Sequence, residues 1–255
     1  MKKLLGLALG FALVAWTITP VFANNVTCGT LCTATVTIGS QIFTPTVTVN
    51  TDTGVGTISN FIATGAGGST ATIQSLTLNP DPGLIFAVAA TNLTGSPQTF
   101  AFAFSTPIAL SGTINAASSI GYTLTDGNAI FGGGAGVSIA PFSPPNILVA
   151  NDFTAALAAT NKGVDVGPAA SGGTGTCGAF VGATSNCGPY AATHTFTGGP
   201  FTSLGVVVAF VLTADDSAGL SGAVSQVSTP EPASLLLMGS GFLGLAGWRR
   251  YRSRR

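Results

Sequence analysis

The sequence is poor in charged residues and in the side chains on which most catalytic sites depend. Charged residues make up 6% of the 255 residues, and His194 is the only histidine. Between residues 24 and 228 there is one base, Lys162, and no glutamate. The same section carries its acids as seven aspartates: Asp52, Asp81, Asp126, Asp152, Asp165, Asp215 and Asp216. Because an acidic section of this kind repels phosphate, nucleic acid is excluded as a partner.

These shortages also argue against an enzyme. A Ser-His-Asp triad would have to use His194 with Asp215 or Asp216, and a lone histidine in a threonine-rich stretch is typical of a surface residue. A glycosidase would need a carboxylate pair, and no pair of aspartates has a recognisable context for one. We therefore predict that the protein is not an enzyme and uses no cofactor.

The first residues have the order of a secretory signal peptide. Lys2 and Lys3 form a basic start, residues 4–18 form an apolar run, and Val21-Phe22-Ala23 is a suitable cleavage site. The alternative is a retained membrane helix, but the run is shorter than the roughly 20 residues that a span prefers. We predict a signal helix over residues 1–23 and a mature protein that begins at Asn24, outside the cytoplasm.

The four cysteines fit an exported protein with disulfides. Cys28, Cys32, Cys177 and Cys187 are even in number, and they allow three pairings. Cys177–Cys187 would close the loop "CGAFVGATSNC". Cys28–Cys32 needs a turn at Gly29, since four residues of straight strand would separate the two by about 13 Å. The alternative, a zinc site, has poor ligand spacing.

The chain end combines three features. Pro230-Glu231-Pro232 is followed by an uncharged apolar run over residues 233–248. As a helix this run is about 24 Å long, enough to cross a bilayer if its ends reach the interfaces. A basic cluster closes the chain: Arg249, Arg250, Arg252, Arg254 and Arg255. Positive residues stay on the cytoplasmic side, so we predict a transmembrane helix with the acidic section outside.

This order closely resembles the PEP-CTERM sorting signal of exported bacterial proteins. The resemblance implies that an exosortase-type membrane protease cuts near Pro230-Glu231-Pro232, after the C-terminal helix has held the precursor in the inner membrane. It also implies that the mature protein goes to the cell surface or to the extracellular polysaccharide matrix of a biofilm. The alternative is a plain membrane anchor with an accidental tripeptide.

Strand patterns dominate the section between the two ends. "TATVTI" alternates, and "TFAFAFSTPI" places Phe100, Phe102 and Phe104 on one face. "LIFAVAATN" and "TFAFAFSTPI" predict a hairpin, and "SLGVVVAFVLTADD" predicts a strand buried on both faces. Residues 163–190 predict a long irregular loop. We predict an all-β protein with one β-sandwich domain of the immunoglobulin or jelly-roll kind over residues 24–228, followed by a sorting tail over residues 229–255.

The mature domain admits three functions. The leading hypothesis is a structural or adhesive protein of the cell surface or polysaccharide matrix. The alternative is a carbohydrate-binding module assisted by calcium at Asp215 and Asp216, which follow the strongest strand. Aspartates at strand ends more often form turns, and Trp16 and Trp248 lie in the processed ends, so no tryptophan remains for sugar stacking. An extracellular hydrolase is the third hypothesis.

Overall fold

The computed structural model describes residues 26–127, 136–142, 146–154, 164–167, 177–178 and 184–229. These residues form twelve β-strands and one short 3-10 turn at Ala66–Gly68. The strands are β1 (Thr33–Ile38), β2 (Gln41–Phe43), β3 (Thr48–Val49), β4 (Gly56–Thr64), β5 (Thr70–Asn79), β6 (Gly83–Thr91), β7 (Gln98–Thr125), β8 (Ser138–Pro141), β9 (Leu148–Thr154), β10 (Cys177–Gly178), β11 (Thr184–Leu212) and β12 (Ser217–Thr229).

All twelve strands belong to one hydrogen-bonded sheet. Its order is β10-β8-β11-β7-β12-β6-β5-β4-β3, with β1 and β2 attached beside β7 and β9 beside β11. The all-β class is therefore confirmed, but the described strands do not divide into the two separate sheets of the predicted sandwich. The reason is the length of β7 and β11, which have 28 and 29 residues and run through the whole sheet.

The two long strands divide the sheet into two halves. In the first half, residues 98–107 of β7 lie between β1 and residues 203–212 of β11. In the second half, residues 113–125 of β7 lie between β12 and residues 184–197 of β11. The inner faces of the halves meet, since the rings of Phe86 on β6 and Phe104 on β7 are 5.8 Å apart. The sheet thus curls around one core.

The curl coincides with glycines at the boundary between the halves. Gly112 on β7 has φ +81°, and β11 shifts register after Gly198, which faces Gly112. Gly199 has φ +104°, and a Cβ there would lie 2.7 Å from the Leu110 carbonyl oxygen. Only glycine adopts this backbone conformation without strain. The two long strands can therefore bend at the same level.

The core confirms the inward face predicted for the phenylalanines. Phe100, Phe102 and Phe104 are buried, with exposed fractions of 1%, 0% and 2%. The ring of Phe210 on β11 lies 5.8 Å from that of Phe100 and 6.4 Å from that of Phe102. Alternation at a period of two puts these large side chains on the same face of neighbouring strands.

The predicted hairpin between β6 and β7 is wrong. Both strands form, but β12 lies between β6 and the second half of β7. The first half of β7 pairs with β1 and β11 instead. The turn residues after β6 therefore carry the chain across the curl to the other half of the sheet.

Two further expectations differ from the structure on β11. The strand begins at Thr184, inside the section predicted as an irregular loop, and Asn186 there faces Thr123 of β7. In the "SLGVVVAFVL" section, Val206, Val208 and Phe210 are buried, while Val207, Ala209 and Val211 between them are half-exposed. This section is central in the sheet but buries only one face.

The described part of the chain contains no helix that is both long and apolar enough to cross a membrane. The predicted signal helix at residues 1–23 and the predicted transmembrane helix at residues 233–248 lie outside the described residues.

Candidate functional site

The last described strand ends where the predicted processing segment begins. β12 stays paired with β7 up to Thr229, which faces Thr113. The Thr229 hydroxyl donates to the Thr113 carbonyl oxygen at 3.1 Å. Pro230-Glu231-Pro232, the apolar run and the arginine cluster lie outside the described residues. Regular pairing therefore continues to the residue that precedes Pro230.

The cysteine pairs lie at two places. Cys28 and Cys32 form a disulfide, with their Cα atoms 4.9 Å apart. The turn between them has Gly29 at φ +47°, and the Leu31 N–H donates to the Cys28 carbonyl oxygen at 2.8 Å. Cys187 is also disulfide-bonded. The side chain of Cys177 lies outside the described residues.

The calcium candidates Asp215 and Asp216 close the turn between β11 and β12. Asp215 has φ 57°, in the left-handed region. Asp216 is buried, accepts a hydrogen bond from the Gly127 N–H at 3.2 Å, and accepts another from the Thr213 hydroxyl. Burial raises the pKa of Asp216, and the nearby Asp126 raises it further, against the lowering effect of these two bonds. These contacts are those of a turn-forming aspartate.

Asp81 in "NPDPG" and Asp165 in "NKGVDVG" show similar local contacts. The Asp81 N–H bonds the Asn79 side-chain oxygen at 3.1 Å, and the Asp165 carboxylate accepts from the Ala150 N–H at 3.0 Å. Within the described ranges, no group of three or more histidine, cysteine, aspartate or glutamate residues is arranged to hold a metal ion.

His194 is remote from the aspartates that a triad would need. It is exposed on β11 opposite Ala116 of β7, with its ring stacked 6.0 Å from that of Phe196. Asp216 precedes Ser217, which faces Thr125. From Ala116 to Thr125 the strand rises by roughly 30 Å. The structure does not bring His194 together with Asp215 or Asp216.

Asn92, which directly follows β6, has a structural role. It is fully buried, and its amide donates to the carbonyl oxygens of Ser96 and Thr213, both at 2.9 Å. Its side-chain oxygen accepts from the Thr94 hydroxyl at 2.7 Å. Although Asn92-Leu93-Thr94 has the N-glycosylation pattern, this side chain ties the β6–β7 connection to the end of β11.

A buried acid–amide pair lies inside the curl. The side-chain amide of Gln226 on β12 donates to the Asp152 carboxyl on β9 at 2.9 Å, and both side chains are buried. Burial raises the pKa of Asp152, while the bond from Gln226 lowers it. The alternation in "LVANDFT" was a usable signal, because it places Asp152 on the same face as the buried Leu148 and Ala150.

An open cleft of about 690 Å³ lies on the outer face of the second half of the sheet. Its floor is a row of small residues on neighbouring strands: Ala87 faces Ser221, and Ser221 faces Gly121. Gly219 extends this floor along β12. Sequence patterns did not predict the cleft, because its floor comes from three strands that are distant along the chain.

Both walls of the cleft are formed where strands shift register. One wall carries Gln74, at the irregularity between Ile73 and Ser75 of β5. The other carries Pro189, in the irregularity between Cys187 and Tyr190 of β11. Bulges of this kind redirect side chains and are frequent beside functional sites. This cleft is a candidate binding site in the described part of the chain.

Comparison with known families bears on the C-terminal tail. Residues 228–252 match the model of the PEP-CTERM protein-sorting motif. The chain carries a PEP-CTERM sorting motif. The matched segment includes the tripeptide, the apolar run and the first arginines of the basic cluster, so the PEP-CTERM tail begins within the last residues of β12. This motif implies export, a membrane-associated precursor and processing by an exosortase, which is a membrane protein.

Comparisons of the whole PEP-CTERM chain add little. No curated protein matches its sequence. Among solved structures it is similar to the adhesin domain of Epf from Streptococcus pyogenes, with a TM-score of 0.35, 9% identity and coverage of 78% of this chain and 60% of that one. For TmCBM61 in complex with β-1,4-galactotriose, the TM-score is 0.24, the identity 11% and the coverage 72% and 88%. Scores this low support no inference about fold or function.

Proposed function

We propose that this PEP-CTERM protein is released or transferred by an exosortase to the cell surface or polysaccharide matrix, where its folded domain has a structural or adhesive role and is not an enzyme. The observation that carries the proposal is the continuity between β12 and the sorting motif. The paired strand reaches Thr229, and the tripeptide follows at once.

This continuity fits proteolytic processing. Pro230 and Pro232 have no N–H to extend a strand ladder, and proline restricts the residue before it to an extended backbone. The sequence Pro230-Glu231-Pro232 therefore favours an extended backbone, the form in which proteases bind their substrates. A cut near the tripeptide would leave all twelve described strands in the mature protein.

The aspartates and His194 support a role without catalysis. Asp81, Asp165 and Asp216 are engaged in turn and backbone hydrogen bonds. His194 stands about 30 Å along the sheet from the β11–β12 turn. Catalysis by acid–base chemistry needs such groups within hydrogen-bond reach of a reacting atom.

The experiment is mass spectrometry of the C-terminal peptide of the extracellular protein. We expect a new C-terminus near residues 230–232 and loss of the tail from about Ala233. In a Glu231→Ala variant we expect the uncut protein to remain in the inner membrane, with its mass larger by the tail. Asp52→Ala, which removes an exposed acid far along the chain, is the control and should be processed normally.

An intact C-terminus on the extracellular protein would contradict the proposal. If most extracellular molecules in cells with an exosortase keep an intact "GWRRYRSRR" end, the motif acts as an ordinary anchor. The proposed release to the matrix would then be wrong.

The second candidate function is a carbohydrate-binding module. The observation that favours it is the uncharged cleft on the outer face of the sheet.

A further inference from the structure

We propose that the cleft lined by Gln74, Ala87, Gly121, Asn186, Gly219 and Ser221 binds a segment of a neutral polysaccharide chain. This inference rests on the proposed location of the mature domain in a polysaccharide matrix. It assigns to that domain a specific contact surface, separate from the sorting tail.

The cleft has the size of a ligand site. Its volume of about 690 Å³ is within the range of roughly 300–1,000 Å³ that small-molecule sites occupy. It is open to solvent along the sheet, which suits a polymer that enters sideways rather than a small ligand that must be enclosed. Several sugar rings of a chain would fit in this space.

Two glycines, Gly121 and Gly219, leave space in the cleft because they have no side chain. A Cβ on Gly219 would meet no atom within 4 Å, and one on Gly121 would meet its nearest atom at 3.8 Å. Neither glycine has the positive φ that would demand glycine for backbone reasons. In strand interiors glycine weakens the sheet, and it often marks a place where a ligand approaches the backbone closely. The space above these residues is therefore not required by the packing of the fold.

The lining is polar but uncharged. Ser221 and Gln74 are exposed, with a hydroxyl and a side-chain amide at the surface. Asn186 accepts a hydrogen bond from the Thr123 hydroxyl at 2.9 Å, so its oxygen is fixed and its NH₂ group is oriented to donate. Hydroxyls and amides both donate and accept, which matches the hydroxyl groups of sugars. Ala87 and Pro189 add the apolar surface that sugar ring faces need.

Other classes of ligand fit this lining less well. Among the described residues, no lysine, arginine, aspartate or glutamate lines the cleft, and an anionic polymer would meet a domain with seven aspartates. A peptide that adds a strand needs an open sheet edge. The floor strands β6, β12 and β7 are paired on both sides here. A neutral glycan matches the cleft lining both in charge and in hydrogen bonding.

The test is affinity electrophoresis of the protein exported by its own cells, in gels that contain a polysaccharide. The probes are dextran and the neutral and anionic fractions of the extracellular polysaccharide of the same cells. We expect the neutral fraction to retard the wild-type protein. Gly219→Val should weaken this retardation at least tenfold, because valine suits a strand and fills the cleft.

Gly95→Val is the matched control. A Cβ on Gly95 also meets no atom within 4 Å, and this residue lies in the β6–β7 connection, away from the cleft. It should bind like the wild type. If the unfolding midpoint of Gly219→Val falls, the double variant Gln74→Ala/Ser221→Ala replaces it, since both side chains are exposed. The same tenfold weakening is expected.

Three results would overturn the proposal. They are no retardation of the wild type by any neutral polysaccharide, equal retardation of the wild type and the cleft variants, and retardation by the anionic fraction alone. None of these depends on where the protein is found in the cell. A processed matrix protein that binds no neutral glycan would refute the cleft alone, whereas an unprocessed anchored protein that binds one would refute the proposed release alone.

Discussion

The two halves of the sheet share the alternation of inward and outward side chains but differ in the residues on each face, as β7 shows along its own length. In the first half its inward side chains are Phe100, Phe102 and Phe104, followed by the buried Thr106. In the second half its inward side chains are more varied: Ile114, Ala116, Ser118, Ile120, Tyr122 and Leu124. The outward residues of the first half are Thr99, Ala101, Ala103 and Ser105, and those of the second half are Ala117, Ser119, Gly121 and Thr123.

The first half contributes mainly to stability, and the second half contributes mainly to the chemistry of the surface. In the first half, stacked aromatic rings bury large apolar areas, and burial of such area is the main favourable term in folding. In the second half, serine, threonine and glycine on the outer face leave hydroxyl groups and empty space at the surface. The first half should therefore dominate the free energy of unfolding, while the second should tolerate changes on its outer face.

The largest expected effect is at the centre of the first half. Phe102→Ala should lower the free energy of unfolding by about 3–5 kcal/mol, because Phe102 is fully buried and the truncation leaves a cavity. Urea unfolding is the measurement. Ile85→Ala, at a residue with 62% exposure in the second half, is the control and should change stability by less than about 0.5 kcal/mol. If Phe102→Ala lowers the free energy of unfolding by less than about 1 kcal/mol, the first half does not dominate stability as we predict.

A smaller effect is expected at the boundary between the halves. Gly199→Ala should destabilise the protein by about 1–3 kcal/mol, because alanine is strained at φ +104° and its Cβ would approach the Leu110 carbonyl oxygen. The matched variant Gly219→Ala meets open space without positive φ, so it should be neutral or stabilising by up to about 1 kcal/mol. Thermal unfolding of both variants distinguishes them, and equal midpoints would contradict the role of Gly199 in the bend.

The smallest effect concerns pH. Because burial raises the pKa of Asp152, the folded protein binds its proton more tightly than the unfolded chain does. Stability should therefore fall as pH rises from the ordinary carboxyl range near about 4 through the raised value. Asp152→Asn removes this titration and supplies an NH₂ group for the Gln226 side-chain oxygen. The variant should be more stable than the wild type at neutral pH.

Unfolding in urea between pH 4 and pH 8 measures this difference. In Asp152→Asn, part of the decline in stability with rising pH should persist, since burial also raises the pKa values of Asp165 and Asp216. Asp52→Asn, at an exposed turn residue, should retain the full decline. If the stability of Asp152→Asn and of Asp52→Asn depends on pH in the same way, ionisation of the buried Asp152 does not destabilise the folded protein as we predict.

Much of the local structure was predictable. "TATVTI" forms β1 over Thr33–Ile38, and the phenylalanine alternation of β7 faces the core. Strand formation and side-chain alternation depend on neighbours along the chain, so they are visible in sequence. The β6–β7 hairpin was predicted from the same kind of signal and is wrong, because the choice of partner strand is made by distant segments.

The candidate sites also differ in whether the sequence could predict them. The PEP-CTERM tail was recognisable because its tripeptide, apolar run and arginines are contiguous. The cleft was not, since Ala87, Gly121 and Ser221 become neighbours only when β6, β12 and β7 pair. The Asp152–Gln226 bond likewise joins residues that are 74 positions apart.

The sequence by itself determined the all-β class, the inward face of β7 and the sorting tail, because each depends on short-range patterns of polarity, charge and backbone restriction. Only the tertiary structure decided that one curled sheet replaces two separate ones, that β12 separates β6 from β7, and that an uncharged cleft opens on the second half. These features arise from pairings between segments far apart along the chain. Their free energy depends on how whole strands fit together, which no short stretch of sequence contains.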